Sequence, residues 1–150
     1  MYTARHEKAQ IAGVFTSSFR RDAFASMLCH SSCRLVTVPL AFDLRSAATN
    51  ALWVNADVRN GTLQVEILPG EGEEDQATAT SVSFEGIDGT ALAVHWTGIR
   101  GVDLAEAIGK SALPTASYRL RFTATTGVSL YSFWLGPAES ESRPTALSPW

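Results

Sequence analysis

The chain has 150 residues, of which 45% are hydrophobic and 18% charged, and its 12 basic and 15 acidic side chains give a net charge of −3. This length and composition are typical of one globular domain with its own core, and they exclude a disordered, coiled-coil or collagen-like chain. The negative net charge argues against nucleic acid as the main partner, because contacts to phosphates need a basic surface.

The composition also bears on membranes and on the two cysteines. No stretch reaches the roughly 20 apolar residues of a membrane span, and the first residues lack the apolar region of a secretory signal. We therefore expect no membrane partner. Cys29 and Cys33 are too few for a disulfide scaffold and lack the partners of a zinc site, which leaves free thiols or one local disulfide.

In chain order, the pattern predicts an all-β domain over 11–137 between flexible ends at 1–10 and 138–150. Turn residues recur every 8 to 12 positions between runs rich in Val, Phe, Leu, Tyr and Thr, as in two-sheet antiparallel β-sandwiches of the jelly-roll or concanavalin-like type. The predicted strands are 11–19, 34–42, 51–58, 62–69, 80–85, 91–97, 116–124 and 128–135.

One short helix is predicted at 103–110. Asp103 is a candidate N-cap, Glu106 completes a capping-box pattern, and Gly109 supplies a stop. Two turns of helix are enough for a connector across one end of the sandwich.

Two of the turns predict hairpins. Asn60-Gly61 is the strongest short hairpin signal, a two-residue turn with positive φ at both residues. A second turn is expected near Thr126-Gly127, which would set Arg119 against Trp134 as a cation–π pair or as a simple cover for the ring. The predicted apolar faces combine Val54, Ala56 and Val58 with Leu63, Val65 and Ile67, and Tyr118, Leu120 and Phe122 with Tyr131, Phe133 and Leu135.

The opposite face of these hairpins is the candidate binding site. Carbohydrate binding needs an aromatic platform and nearby amides or carboxylates for hydroxyl groups. The same pattern also fits a hydrated outer sheet face or a docking surface for another domain. The candidate ligand-binding residues are Trp53, Asn55, Asp57, Gln64, Glu66, Arg119 and Trp134.

Catalysis by the chain itself is not predicted. In the hairpin register Asp57 and Glu66 would be diagonal neighbours about 7–8 Å apart, a separation that glycosidase carboxyls use. On an open sheet face, however, both stay solvated and nothing raises the pKa of one of them. His6, His30 and His95 accompany no G-x-S-x-G elbow, so no nucleophile is assigned.

Charged clusters give two further expectations. Arg20, Arg21 and Asp22 are predicted to form a structural ion-pair group, with sugar contact as the alternative. The acidic run at 71–75 lacks the order of an EF-hand and predicts a solvated loop. We expect no metal and no cofactor, with a structural calcium ion left open.

Several segments in order resemble the C-terminal β-sandwich module that accompanies five-bladed propeller glycosidases of the invertase or arabinanase type. These are FRRDAFASM (19–27), LVTVPLAF (35–42), ALWVNADVRNGTLQVEIL (51–68), HWTG (95–98), YRLRF (118–122) and LYSFWL (130–135). The resemblance implies an extracellular or secretory protein whose catalytic carboxylates belong to a propeller, while the sandwich packs against that propeller or contacts sugar.

The function expected from the sequence is therefore a non-catalytic accessory β-sandwich of a glycoside-hydrolase-like protein. Its partner would be carbohydrate or a catalytic propeller domain. The first alternative is an interaction or assembly module without sugar affinity, and the second is a glycosidase in its own right.

Overall fold

A computed structural model of the chain describes residues 25–41, 43, 46, 50–70, 76–109 and 117–138. Within these ranges the chain forms ten strands and one short helix. They are β1 (Met27–Leu28), β2 (Ser32–Val36), β3 (Leu40–Ala41), β4 (Ala51–Asp57), β5 (Thr62–Pro69), β6 (Ala79–Thr80), β7 (Phe84–Glu85), β8 (Asp88–Ala93), α1 (Leu104–Ile108), β9 (Ser117–Thr125) and β10 (Ser129–Gly136).

The strands form two antiparallel sheets that do not close into a barrel, which confirms the predicted all-β two-sheet sandwich. The four-stranded sheet has the order β1-β10-β4-β8. The six-stranded sheet has the order β2-β9-β5-β6, with β3 also paired to β9 and β7 to β5. The fully buried side chains between the sheets include Leu52, Val54, Val58, Leu63, Val65, Ile67, Val94, Trp96, Leu120 and Phe122.

The first predicted hairpin is wrong, because β4 and β5 lie in different sheets. β4 pairs with β10 and β8, whereas β5 pairs with β9, β6 and β7. Gly61 does not have the positive φ that a two-residue hairpin turn requires. The chain therefore crosses from one sheet to the other after Asp57. The buried faces were predicted correctly, since the inward residues of both strands line the same core from opposite sides.

The second predicted hairpin is wrong for the same reason. β9 belongs to the six-stranded sheet and β10 to the four-stranded sheet, and the chain crosses between them at Gly127, where φ is 86°. Phe122 and Phe133 still meet, with ring centroids 5.1 Å apart, but they do so across the sandwich.

Tyr131 was expected in the core and lies outside it. The register of β10 against β4 shifts between Leu130 and Ser132, which marks a β-bulge. A bulge adds one residue to the alternation, so Leu130 and Phe133 both point inward. Tyr131, between them, is only half-buried.

The two crossings pack against each other at one end of the sandwich. The Thr62 backbone N–H donates a hydrogen bond to Thr125 Oγ1 over 2.7 Å. A Cβ atom added to Gly61 would lie 2.6 Å from the Thr126 carbonyl oxygen, and one added to Gly127 would lie 2.9 Å from Asn60 Cβ. We call residues 58–62 and 125–129 the paired crossings. Their close approach leaves no space for side chains at the two glycines.

The predicted helix is confirmed, with Leu104–Ile108 as its helical residues. The Asp103 side chain accepts a hydrogen bond from the Glu106 backbone N–H at 2.8 Å, and Gly109 ends the helix with φ of 93°. Leu104 and Ile108 are buried and attach this connector to the core.

Cys29 and Cys33 form a disulfide, with their Cα atoms 5.6 Å apart. The bond joins the end of β1, in the four-stranded sheet, to β2, in the six-stranded sheet. Cys29 is buried, and its backbone N–H donates to the Val128 carbonyl at 2.9 Å. The disulfide therefore connects the edge strands of both sheets and one of the paired crossings.

Two predicted strands are interrupted. The run 34–42 corresponds to β2 and β3, which both pair with β9, and Pro39 lies in the gap, where its missing N–H cannot extend a ladder. The run 80–85 is likewise divided between β6 and β7. The predicted strand 11–19, the end segments 1–10 and 139–150, the group Arg20, Arg21 and Asp22, and the acidic run 71–75 lie outside the described residues.

Candidate functional site

The outer face of the four-stranded sheet carries Trp53, Asn55 and Trp134. Trp53 and Trp134 are cross-strand partners on β4 and β10. Trp53 is 3% exposed and Asn55 is 1% exposed, while Trp134 is half-buried. The Trp53 ring lies beside Gly136, where an added Cβ would be 3.3 Å from its Cδ1 and Nε1 atoms. In this arrangement Trp53 presents no open ring face on which a sugar could stack.

Asp57 lies at the end of the same strand and is engaged by Arg59. The guanidinium of Arg59 donates to both carboxylate oxygens, from Nε at 2.9 Å and from Nη2 at 2.6 Å. Asp88 is 3.8 Å from the same Nη2. The hydrogen bond to Asp57 raises the pKa of Arg59 above its ordinary value. This charged group is an ion pair at a strand end, with the Arg59 side chain largely in solvent.

The outer face of the six-stranded sheet holds the other polar candidates. Glu66 on β5 and Arg121 on β9 are cross-strand partners joined by two hydrogen bonds, Nε to Oε2 at 2.6 Å and Nη2 to Oε1 at 2.8 Å. Their side chains are only 16% and 12% exposed. The hydrogen bond from Arg121 lowers the pKa of Glu66. Such a fork occupies both carboxylate oxygens and stabilises the sheet, so Glu66 is held as an anion.

Gln64 and Arg119 each donate a side-chain hydrogen bond to a main-chain carbonyl. Gln64 Nε2 donates to the Ser81 carbonyl at 3.3 Å, and Arg119 Nε donates to the Pro69 carbonyl at 3.0 Å. Arg119 is in the six-stranded sheet and Trp134 in the four-stranded sheet, so the predicted contact between them is wrong.

The seven predicted ligand-binding residues therefore divide between two sheets. Trp53, Asn55, Asp57 and Trp134 belong to the four-stranded sheet, and Gln64, Glu66 and Arg119 belong to the six-stranded sheet. The outer faces of a sandwich point in opposite directions. The single binding face that the hairpin register predicted is not formed. The Asp57–Glu66 carboxylate pair is separated for the same reason.

Large apolar side chains are exposed on the side of the sandwich that contains β1 and β2. Four large apolar side chains are exposed here, Leu28, Leu35, Val36 and Val38, and Val38 is 72% exposed. Val82 and Ile87 are the other exposed large apolar residues within the described ranges. We call this side, formed by Leu28, Leu35, Val36 and Val38, the apolar edge.

A cavity of about 370 Å³ opens at the apolar edge. Its lining comes from both sheets, and none of the described lining residues is charged. Its main apolar walls are Ala25, Met27, Leu35, Leu130, Tyr131 and Phe133. The cavity thus lies between β1 and β10 of the four-stranded sheet and Leu35 of the six-stranded sheet.

The apolar edge was not predicted, although the sequence contains a signal for it. In the run Leu35-Val36-Thr37-Val38, apolar residues occupy both faces of one strand. A strand of an antiparallel sheet with one wet side should instead alternate apolar and polar residues. The Arg121 partner of Glu66 was also missed as a site neighbour, because the hairpin register paired Arg121 with Ser132.

Among the described residues, no group of three or more His, Cys, Asp or Glu side chains could hold a metal ion. No helix in that part of the chain is long and apolar enough to cross a membrane.

Comparisons with protein-family models, with curated proteins and with solved structures found no match to this chain.

Proposed function

We propose that this chain is a non-catalytic accessory β-sandwich that packs on another protein domain through its apolar edge. The observation that carries the proposal is the apolar edge itself, with its cavity of about 370 Å³ between the two sheets. Exposed apolar surface of this kind, next to polar outer faces, is typical of protein interaction sites. The resemblance to modules of propeller glycosidases supports a propeller domain as the partner.

The packing function is favoured over carbohydrate binding on a sheet face. A sugar platform needs an accessible aromatic ring with polar groups around it. Trp53 is 3% exposed, and the polar candidates lie on the two outer faces rather than around one ring. Four of the six exposed large apolar side chains within the described ranges, by contrast, belong to the apolar edge.

The test begins with the coding region that flanks this chain. Any propeller domain encoded there is expressed separately, and its binding to the sandwich is measured by isothermal titration calorimetry. We expect Val38→Glu to weaken binding at least tenfold, because a charge would have to be desolvated in the interface. Val82→Glu is the matched control, since Val82 is also exposed, at 55%, but lies away from the apolar edge.

Three results would refute the proposal: flanking sequence without a propeller, no binding, or equal effects of the two variants.

A parallel titration with plant, algal and fructan oligosaccharides, followed by tryptophan fluorescence, addresses the carbohydrate alternative. Saturable binding that Trp134→Ala abolishes would favour that alternative over packing.

A further inference from the structure

We propose that the Cys29–Cys33 disulfide is a redox-controlled clasp that holds the apolar edge in its binding form and that a dithiol reductant opens. The inference rests on the proposed docking function for its biological meaning. Its physical content, a local opening of β1 and β2 on reduction, concerns the free protein alone.

The disulfide lies next to two residues that line the cavity at the apolar edge. Met27 lies two residues before Cys29, and Leu35 lies two residues after Cys33, and both line the cavity. Within the described part of the chain, β1 pairs only with β10 and β2 only with β9, so each is held there on one side. The bond between them is the covalent link that joins the edges of the two sheets.

The pairing that remains after reduction is unequal between the two strands. β1 has two residues, Met27 and Leu28, and β2 has five. A two-residue strand at a sheet edge holds few ladder hydrogen bonds and opens first, whereas the five-residue β2 opens less readily. The interior strands β4, β5 and β9 have seven to nine residues and neighbours on both sides, so they are expected to stay in place.

The reaction is thiol–disulfide exchange. Cys29 is 1% exposed, whereas Cys33 is half-buried, so a dithiol thiolate reaches Cys33 Sγ first. The S–S bond breaks, a mixed disulfide forms on Cys33, and Cys29 leaves as a thiolate that takes up a proton. The second thiol of the reagent then attacks the mixed disulfide and releases Cys33, so the protein gains two electrons and two protons as the reagent becomes a cyclic disulfide.

The surroundings of Cys29 also suit the reduced form. Its Sγ lies 3.4 Å from the Ala124 carbonyl oxygen on β9. A disulfide sulfur has no proton to donate, but a thiol has one, so this contact becomes a hydrogen bond only after reduction. When the edge closes again, a Cys29 thiol therefore has a hydrogen-bond acceptor at this position before the disulfide re-forms.

The experiment compares oxidised protein with protein reduced by dithiothreitol, without any partner, by hydrogen exchange and mass spectrometry. We expect amide exchange in 27–36 to rise at least tenfold on reduction, with exchange in β4 and β5 unchanged. In a parallel experiment, mass spectrometry of protein quenched with acid under limiting dithiothreitol is expected to find the mixed disulfide on Cys33 rather than on Cys29. The double variant Cys29→Ser/Cys33→Ser should exchange like reduced protein under both conditions.

Unchanged exchange in 27–36 would overturn the clasp, because the edge would then be held without the disulfide. Accelerated exchange over the whole chain would also overturn it, since the disulfide would then be a staple for the entire fold. Neither result depends on the propeller-binding test. If the propeller-binding test fails but reduction still opens β1 and β2, the docking function is refuted and the clasp proposal stands.

Discussion

The Glu66–Arg121 pair gives the sharpest test of the strand arrangement, through a double-mutant cycle. The cycle compares wild type, Glu66→Gln, Arg121→Met and the double variant by urea unfolding. Exposed ion pairs are worth about 0.2–1 kcal/mol, and breaking a buried pair costs about 3–5 kcal/mol. With side chains 16% and 12% exposed and two short hydrogen bonds, this pair lies between those limits. We expect a coupling free energy of about 1–2 kcal/mol.

The control cycle joins Arg121 to Ser132, the partner that a β9–β10 hairpin would give it. In the structure β9 and β10 belong to different sheets, so these two substitutions should be additive within about 0.5 kcal/mol. Additivity between Glu66 and Arg121 would refute the pairing of β5 with β9, and a larger coupling between Arg121 and Ser132 would refute the placement of β9 and β10 in separate sheets.

The other predictions concern pH, the paired crossings and the disulfide. Because the pKa of Glu66 is lowered in the folded state from its ordinary 4.5, its contribution to stability is present above about pH 4.5 and lost as the pH falls through the lowered value. Acid unfolding curves should therefore show a smaller pH dependence in Glu66→Gln, and identical curves would contradict this. Gly98→Ala and Gly127→Ala should each lose about 1–2 kcal/mol through the strain of a positive φ, and thermal unfolding should show a larger loss for Gly127→Ala because of the added collision. Both glycines have φ of 86°, but only the Cβ at Gly127 would meet another residue, and equal losses would show that the paired crossings do not touch. Cys29→Ala/Cys33→Ala should lower the free energy of unfolding in urea by about 2 kcal/mol, because the closed loop is short, and a loss above about 4 kcal/mol would contradict that account.

Much of the architecture is predictable from the sequence because strand periodicity reports which side chains are buried. The alternation in β4 and β5 identifies Val54, Ala56, Leu63 and Val65 as inward residues, and all four are buried. The helix around Asp103 is predictable because its capping signal is local.

Strand partners were not predictable, since alternation is the same in two geometries. Two strands side by side in a sheet and two strands facing each other across a core both show apolar residues at every second position. At Asn60-Gly61 the local turn signal selected the first geometry, and the fold uses the second. The error carried over to the candidate site, because Trp53 and Glu66 were placed together through the hairpin register.

The apolar edge was missed for a related reason. The exposure of Leu35 and Val36 depends on β2 being the last strand of its sheet among the described residues. Strand order is a property of distant parts of the chain, so a local pattern does not contain it.

The paired crossings have a consequence for how this protein folds during synthesis. A hairpin can form as soon as its two strands leave the ribosome, but here β4 and β5 separate into different sheets, and the longest ladder of each has a distant partner. β4 pairs Asp57 with Ser129, and β5 pairs Leu63 with Ala124, so neither interior pairing exists until the last strands have been made. Such long sequence separations slow folding and leave apolar strands uncovered in the nascent chain. The growing polypeptide is thus expected to depend on chaperones until β9 and β10 emerge, and to fold all at once afterwards.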